Sequence, residues 1–239
     1  MEEAEHCFNT KGLMGEKKKM MRILSNWCDK AWLFVVYTLA IIMSIVLLMN
    51  WEQWYIPQKL IGLLAISIPM HIFEENTYPG GFFFMNNLTF GSNNPMMYPQ
   101  NRVTNMVTNL GAEIIFILLT INAVKMEAAV VTVVIFFGIV ETVNHAREGI
   151  GMYKRYREKG KKTFYAPGLV TSLFTLLPQA ACGILWLSNH KFRVQEILAG
   201  IGISVGIAVC LILIPFGISI RVKSQEFSFK SKGYFEKYE

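Results

Sequence analysis

AWLFVVYTLAIIMSIVLLMN, residues 31–50, runs for twenty positions without a charged side chain. At about 1.5 Å per residue a helix of that length covers about 30 Å, the thickness of a bilayer's hydrocarbon core. The stretch therefore reads as a membrane span. Working outward from it, five more stretches share its character: 58–73, 103–123, 127–146, 167–188 and 194–220. The expected fold is all-α, a polytopic integral membrane bundle of six spans. Composition agrees. Of 239 residues, 53% are hydrophobic and 17% charged, where soluble domains carry about 25% charge. That balance argues against a cytosolic globular enzyme and rules out a disordered chain. The opening MEEAEHCFNT is acidic and polar, so no signal peptide is expected and the first span should be retained. Cys7, Cys28, Cys182 and Cys210 are scattered without CxxC spacing, which suggests neither a disulfide framework nor a zinc ribbon.

The net charge of +6 is best read as a topology signal rather than a nucleic-acid patch. With six spans, 19 of the 23 Lys and Arg residues fall on one side and four (Lys59, Lys125, Lys191, Arg193) on the other. Positive residues collect on the cytoplasmic side of membrane proteins, so both termini are expected there. The chain then divides into a basic N-terminal segment (1–30), a membrane domain (31–220) and a basic tail (221–239). Trp27 and Trp32 should mark the inner interface, and Trp51, Trp54 and Trp186 the outer one. Residues 14–30 read as an ordinary stop-transfer flank in preference to an amphipathic surface helix. Between spans two and three, TYPGGFFFMNNLTFGSNNPMMYPQ (77–100) is aromatic, turn-rich and nearly uncharged. It predicts a re-entrant or interfacial cap. Its Asn87-Leu88-Thr89 sequon would be cytoplasmic and unglycosylated. In the last span Gly202 and Gly206 form a small-xxx-small pair expected to pack helices, and Pro178 with Gln179 suggests a kink with a polar partner.

Ionisable groups at membrane depth are costly and usually functional. Here they cluster. Span two ends in His71, Glu74 and Glu75, and span four carries Glu141, Asn144 and His145; spacings of three and four place each set on one helical face. Span three adds Asn105, Asn109 and Glu113, with Glu113 about 15 Å deeper than the start of its span. Tyr165, Pro167, Gly168 and Thr171 open span five at the same level. Two His and up to four Glu on three helices make a metal-ligand inventory. A di-metal carboxylate bundle is partly similar. A mononuclear zinc site is equally buildable from His71, one of Glu74 or Glu75, and His145, with another Glu as general base. The donors do not separate zinc from iron or manganese. The bland alternative is a set of protonated acids hydrogen-bonded to His and Asn.

The strings HIFEEN (71–76) and PGGF (79–82), the Asn144-His145 pair and YAPGLVTS (165–172) together resemble the HXXEE-domain family of small bacterial and archaeal membrane proteins. The resemblance covers spans two to five and singles out His71, Glu74, Glu75, Asn144 and His145. It implies a prokaryotic cell membrane and names no reaction. Glu113 and Glu141 rest on spacing alone.

The expected function is a metal-dependent membrane enzyme acting on a membrane lipid or another hydrophobic small molecule, without nucleic-acid partners. The divalent metal, zinc or iron, would be held by His71, Glu74, Glu75, Glu113, Glu141 and His145. Glu75 would double as general base, Asn144 would orient ligand or substrate, and Tyr165 would donate to developing oxyanion charge. Hydrolysis is preferred to oxidation because no companion electron-transfer motif is visible in the sequence. A proton- or cation-coupled transporter using the same cluster is the alternative, though no inverted repeat relates the two halves. A non-catalytic accessory or immunity-type protein is the third reading.

Overall fold

The computed structural model describes Glu16 and residues 19–239. His6, Cys7, Lys11, Met14, Lys17 and Lys18 lie outside the described residues. The helices in chain order are α1 (Lys19–Met49), α2 (Ile56–Asn76), α3 (Phe82–Thr89), α4 (Arg102–Lys125), α5 (Glu127–Lys159), α6 (Leu169–Asn189) and α7 (Val194–Val222). All but α3 are long and apolar enough to cross a membrane, and there is no strand among the described residues. A helix satisfies its own backbone, which is what a bilayer core demands. The flank before the first span is simply the beginning of α1, through a π-helical turn at Trp27–Ala31.

The bundle is built around α2 and α5, its two most buried long helices. α2 packs on α1, α4 and α5, while α5 also carries α6 and α7. Small residues set these approaches. A Cβ on Gly138 would stand 2.5 Å from the Leu176 carbonyl oxygen, and one on Gly200 2.5 Å from that of Ala129. Such contacts let helices close up where lipid gives no hydrophobic drive. Gly202 and Gly206, the expected packing pair, have nothing within 4 Å of an added Cβ. They sit on the opposite side of α7 from Gly200, about 200° and 240° around the helix. Trp32 and Trp186 are buried in the core. Gln179 does find a polar partner, donating from Nε2 to Ser67 Oγ at 2.5 Å.

At 33 residues, α5 is about 50 Å long, more than a bilayer core requires. Its last turns form a post for Met152 and Tyr156, against which Phe83, Phe84 and Met85 of α3 pack together with Phe235. The C-terminal residues fold back onto this end of the bundle. The Phe229 N–H donates to Met96 O at 2.8 Å and the Tyr234 N–H to Gly80 O at 3.0 Å. Buried Arg102 ties the start of α4 to Ser25 on α1 and to the carbonyls of Glu226 and Ser228. Lys161 Nζ donates to Tyr165 O at 2.5 Å and to Tyr234 OH at 3.1 Å. Burial, helped by the charge of Lys237, pushes that amine down to about 8.

The segment 77–100 is α3 plus turns, held between α5 and the C-terminal residues. Asn87 is its keystone. The side chain is fully buried, donates Nδ2 to the carbonyls of Pro95 and Gln100 (both 2.8 Å), and accepts from the Gln100 N–H at 2.7 Å. An amide so enclosed cannot carry a glycan.

Candidate functional site

Two imidazoles meet in the middle of the bundle. On α2, His71 and Glu75 are one turn apart and about 40° different in direction; on α5, Glu141 and His145 have the same relation. Packing these faces together brings four side chains to one point. His71 Nε2 and His145 Nε2 are 3.1 Å apart. Glu75 Oε1 lies 3.3 Å from the first and 3.2 Å from the second. Glu141 Oε2 lies 3.9 Å and 3.6 Å from the same two nitrogens. His71, Glu75 and His145 are almost wholly buried.

The spacing suits a metal ion. Ligands bound tetrahedrally at about 2.0–2.1 Å stand about 3.3–3.4 Å from one another. His71, Glu141 and His145 each offer a donor atom within 4.8 Å of the other two, and Glu75 faces both imidazoles from its own helix.

Hydrogen bonding fixes the tautomer of His71 and leaves its Nε2 with a free lone pair. The Glu74 carboxylate accepts from Tyr165 OH (3.1 Å) and Val170 N–H (3.2 Å) at Oε1, and from Thr171 N–H (2.8 Å) and Thr171 Oγ1 (2.6 Å) at Oε2. A threonine hydroxyl has one proton, and here it goes to Glu74. Thr171 Oγ1 must then accept from His71 Nδ1–H, 2.8 Å away. The neutral ring therefore carries its proton on Nδ1 and presents an unprotonated Nε2 to the centre. This is the carboxylate-backed imidazole common behind bound metals, with a hydroxyl inserted between the two. Outside the spans, burial and the neighbouring Glu74 charge raise the Tyr165 phenol well above its ordinary value, so it stays a donor.

His145 is positioned by shape. Its ring packs against Phe82, centroids 4.9 Å apart, and against Gly168, where a Cβ would fall 2.1 Å from Cε1. Gly168 has φ +92°, a left-handed conformation that glycine adopts without cost. Its Nδ1 has no hydrogen-bond partner. The strings PGGF and YAPGLVTS thus act on the two imidazoles: Phe82 and Gly168 confine His145, while Tyr165 and Thr171 anchor Glu74 and His71.

A cavity of about 220 Å³ opens beside the cluster. Its lining combines polar residues, among them His71, Glu75, Glu141, Asn144, Arg147 and Glu148, with apolar ones, among them Ile68, Phe116, Phe137, Ile207 and Phe216. From Asn86 and Gln100, which line the cavity, a hydrogen-bonded amide chain runs through Asn105 to Asn76.

The structure sorts the expected site residues. His71, Glu75, Glu141 and His145 converge. Asn144 lines the cavity without joining them. Glu74 is turned away to the start of α6, because it lies about 100° around α2 from Glu75 and meets four donors there. Tyr165 is directed to Glu74 and lines no part of this cavity. Glu113 is fully buried with both carboxylate oxygens unpartnered. It makes none of these contacts, since eight residues rotate it about 80° from Asn105. Glu148, buried in the cavity wall, was not expected. Its signal was present in the sequence: His145 and Glu148 repeat the His-x-x-Glu spacing of His71 and Glu74.

A family model described as a protein of unknown function with an HXXEE motif matches residues 62–182. No curated protein and no solved structure matches. The matched region begins in α2 and ends in α6, and so contains every side chain of the cluster.

Proposed function

With just over half of its 239 residues matched, the chain belongs to the family of proteins with an HXXEE motif, and from that premise we propose a metal-dependent membrane enzyme acting on a lipid or other hydrophobic substrate. The observation that carries the reading is the convergence of His71, Glu75, Glu141 and His145 donor atoms at 3.1–3.9 Å beside a cavity lined by both polar and apolar side chains. A substrate with a polar end and an apolar chain fits that mixed lining. The basic asymmetry of the sequence supports cytoplasmic termini.

His71, His145 and Glu141 hold the ion, zinc or iron. When bound, it supplies Lewis acidity and a water acidified enough to act as nucleophile near neutral pH. Glu75, whose Oε1 lies 3.3 Å and 3.2 Å from the two imidazole nitrogens, would serve as the proton acceptor of the site. Thr171 and Glu74 keep His71 in its Nδ1–H form. Asn144 orients the polar end of the substrate, while Phe116 and Phe137 take the chain and keep bulk water out. Hydrolysis is the reaction class this favours, because a carboxylate beside both imidazoles is suited to proton abstraction.

Elemental analysis of protein purified without chelators tests this. Near-stoichiometric zinc, iron or manganese is expected in the wild type, with loss in both His71→Ala and His145→Ala. Absence of metal from all three refutes the reading. One observation favours a second reading, a proton- or cation-coupled transporter: Glu113 is a buried carboxylate with no partner, deep in a span. That reading requires ion flux in proteoliposomes that Glu113→Gln abolishes.

A further inference from the structure

Glu148 is unexplained by a single ion. Its side chain is 3% exposed, its Oε2 has no hydrogen-bond partner, and it lines the same cavity as the His/Glu cluster. Buried carboxylates are normally paired or bound to metal. Among the described residues no cation pairs with it. Arg147, the adjacent position, lines the cavity but lies about 100° around α5 and makes no ion pair among the described residues.

We propose that Glu148, with Glu141 as a shared ligand, holds a second divalent cation in this cavity. The inference rests on the metal reading above. Helical geometry supports the pairing. Glu141 and Glu148 are seven residues apart, so they differ by only about 20° in direction and form one stripe with His145 between them. Each is therefore one turn from the same imidazole, and both line the same cavity. Paired metals in hydrolytic sites sit about 3.5–4 Å apart and are bridged by carboxylates. Asn86 adds a neutral donor. Its Nδ2 goes to Gln100 Oε1 at 2.8 Å, so its amide oxygen is free to face the cavity it lines.

The test is metal stoichiometry with Zn²⁺ and Mn²⁺, read by elemental analysis on the full chain in detergent, for wild type and Glu148→Gln. Two ions per chain are expected in the wild type and one in the variant. Mn²⁺-loaded wild type should also give an exchange-coupled electron paramagnetic resonance spectrum, and the variant that of an isolated ion. The spectrum judges the inference even if Glu148→Gln fails to fold. One ion in the wild type with an isolated-ion spectrum overturns this inference and leaves the mononuclear enzyme standing. Two ions in both proteins also overturns it, because the second ion would then lie elsewhere. No metal in the wild type refutes both readings.

Discussion

Replacing Gly168 with alanine should damage the site more than it damages the fold, and Gly160 provides the control. Both glycines have nearly the same left-handed backbone, φ +92° and φ +91°. A β-carbon in that region costs about 1–2 kcal/mol. Their surroundings differ completely. A Cβ at Gly160 meets nothing within 4 Å, whereas one at Gly168 would stand 2.1 Å from His145 Cε1 and 2.6 Å from both ring nitrogens. Carbon–carbon contacts relax to about 3.5–4.0 Å, so the imidazole must move by more than an ångström or the start of α6 must back away. Overpacking of this kind adds about 1–3 kcal/mol. Gly160→Ala should therefore lose about 1–2 kcal/mol and bind metal as the wild type does. Gly168→Ala should lose about 2–5 kcal/mol, the sum of the two costs. Its metal affinity should fall about 10–100-fold, as when a ligand's support is removed. Thermal unfolding in detergent gives the first quantity, and competition against a chromophoric chelator the second. Equal losses of stability in the two variants, with unchanged affinity in Gly168→Ala, would refute the idea that Gly168 places His145.

Three further outcomes follow from the same geometry. Thr171→Val keeps the shape but strands His71 Nδ1–H and leaves Glu74 Oε2 without its hydroxyl donor; it should cost about 1–3 kcal/mol and weaken metal binding, while Thr171→Ser restores both, as chelator competition and melting will read. The Lys161 amine has its pKa lowered to about 8 from 10.5, so between those values the unfolded chain binds more protons and docking of residues 223–239 should strengthen as pH rises; proteolysis of that segment, normalised to a free peptide, should slow from pH 7.5 to 9.5 in the wild type and not in Lys161→Met. A reporter fused after Ser188 should read as external, and a cytoplasmic signal there would overturn the six-span topology inferred from charge.

The apolar runs were legible because a bilayer imposes a length and forbids charge, and six runs became six helices. Their ends were less legible for a related reason. Hydropathy stops reporting a helix once it leaves the apolar layer. The fourth span reads as ending near Ala146, yet α5 continues to Lys159. Its last turns are amphipathic, with Met152 and Tyr156 buried against α3 while Lys154 and Arg155 are exposed. Glu148 was lost in that gap, although it stands one turn beyond a histidine already singled out. Glu74 and Glu113 show the other limit. A spacing rule places residues on a face to within about 100°, and that width spans two different neighbours. At His71 the next helix decides. Tyr165, Val170 and Thr171 supply four donors at the entry to α6, and Glu74 turns to them, which leaves Glu75 for the centre. Nothing local to HIFEEN distinguishes the two acids; the choice is written in YAPGLVTS, some ninety residues away. The two strings thus specify one structure between them: the first supplies an imidazole with an acid on either side, and the second selects which acid supports the ring and which faces its open nitrogen.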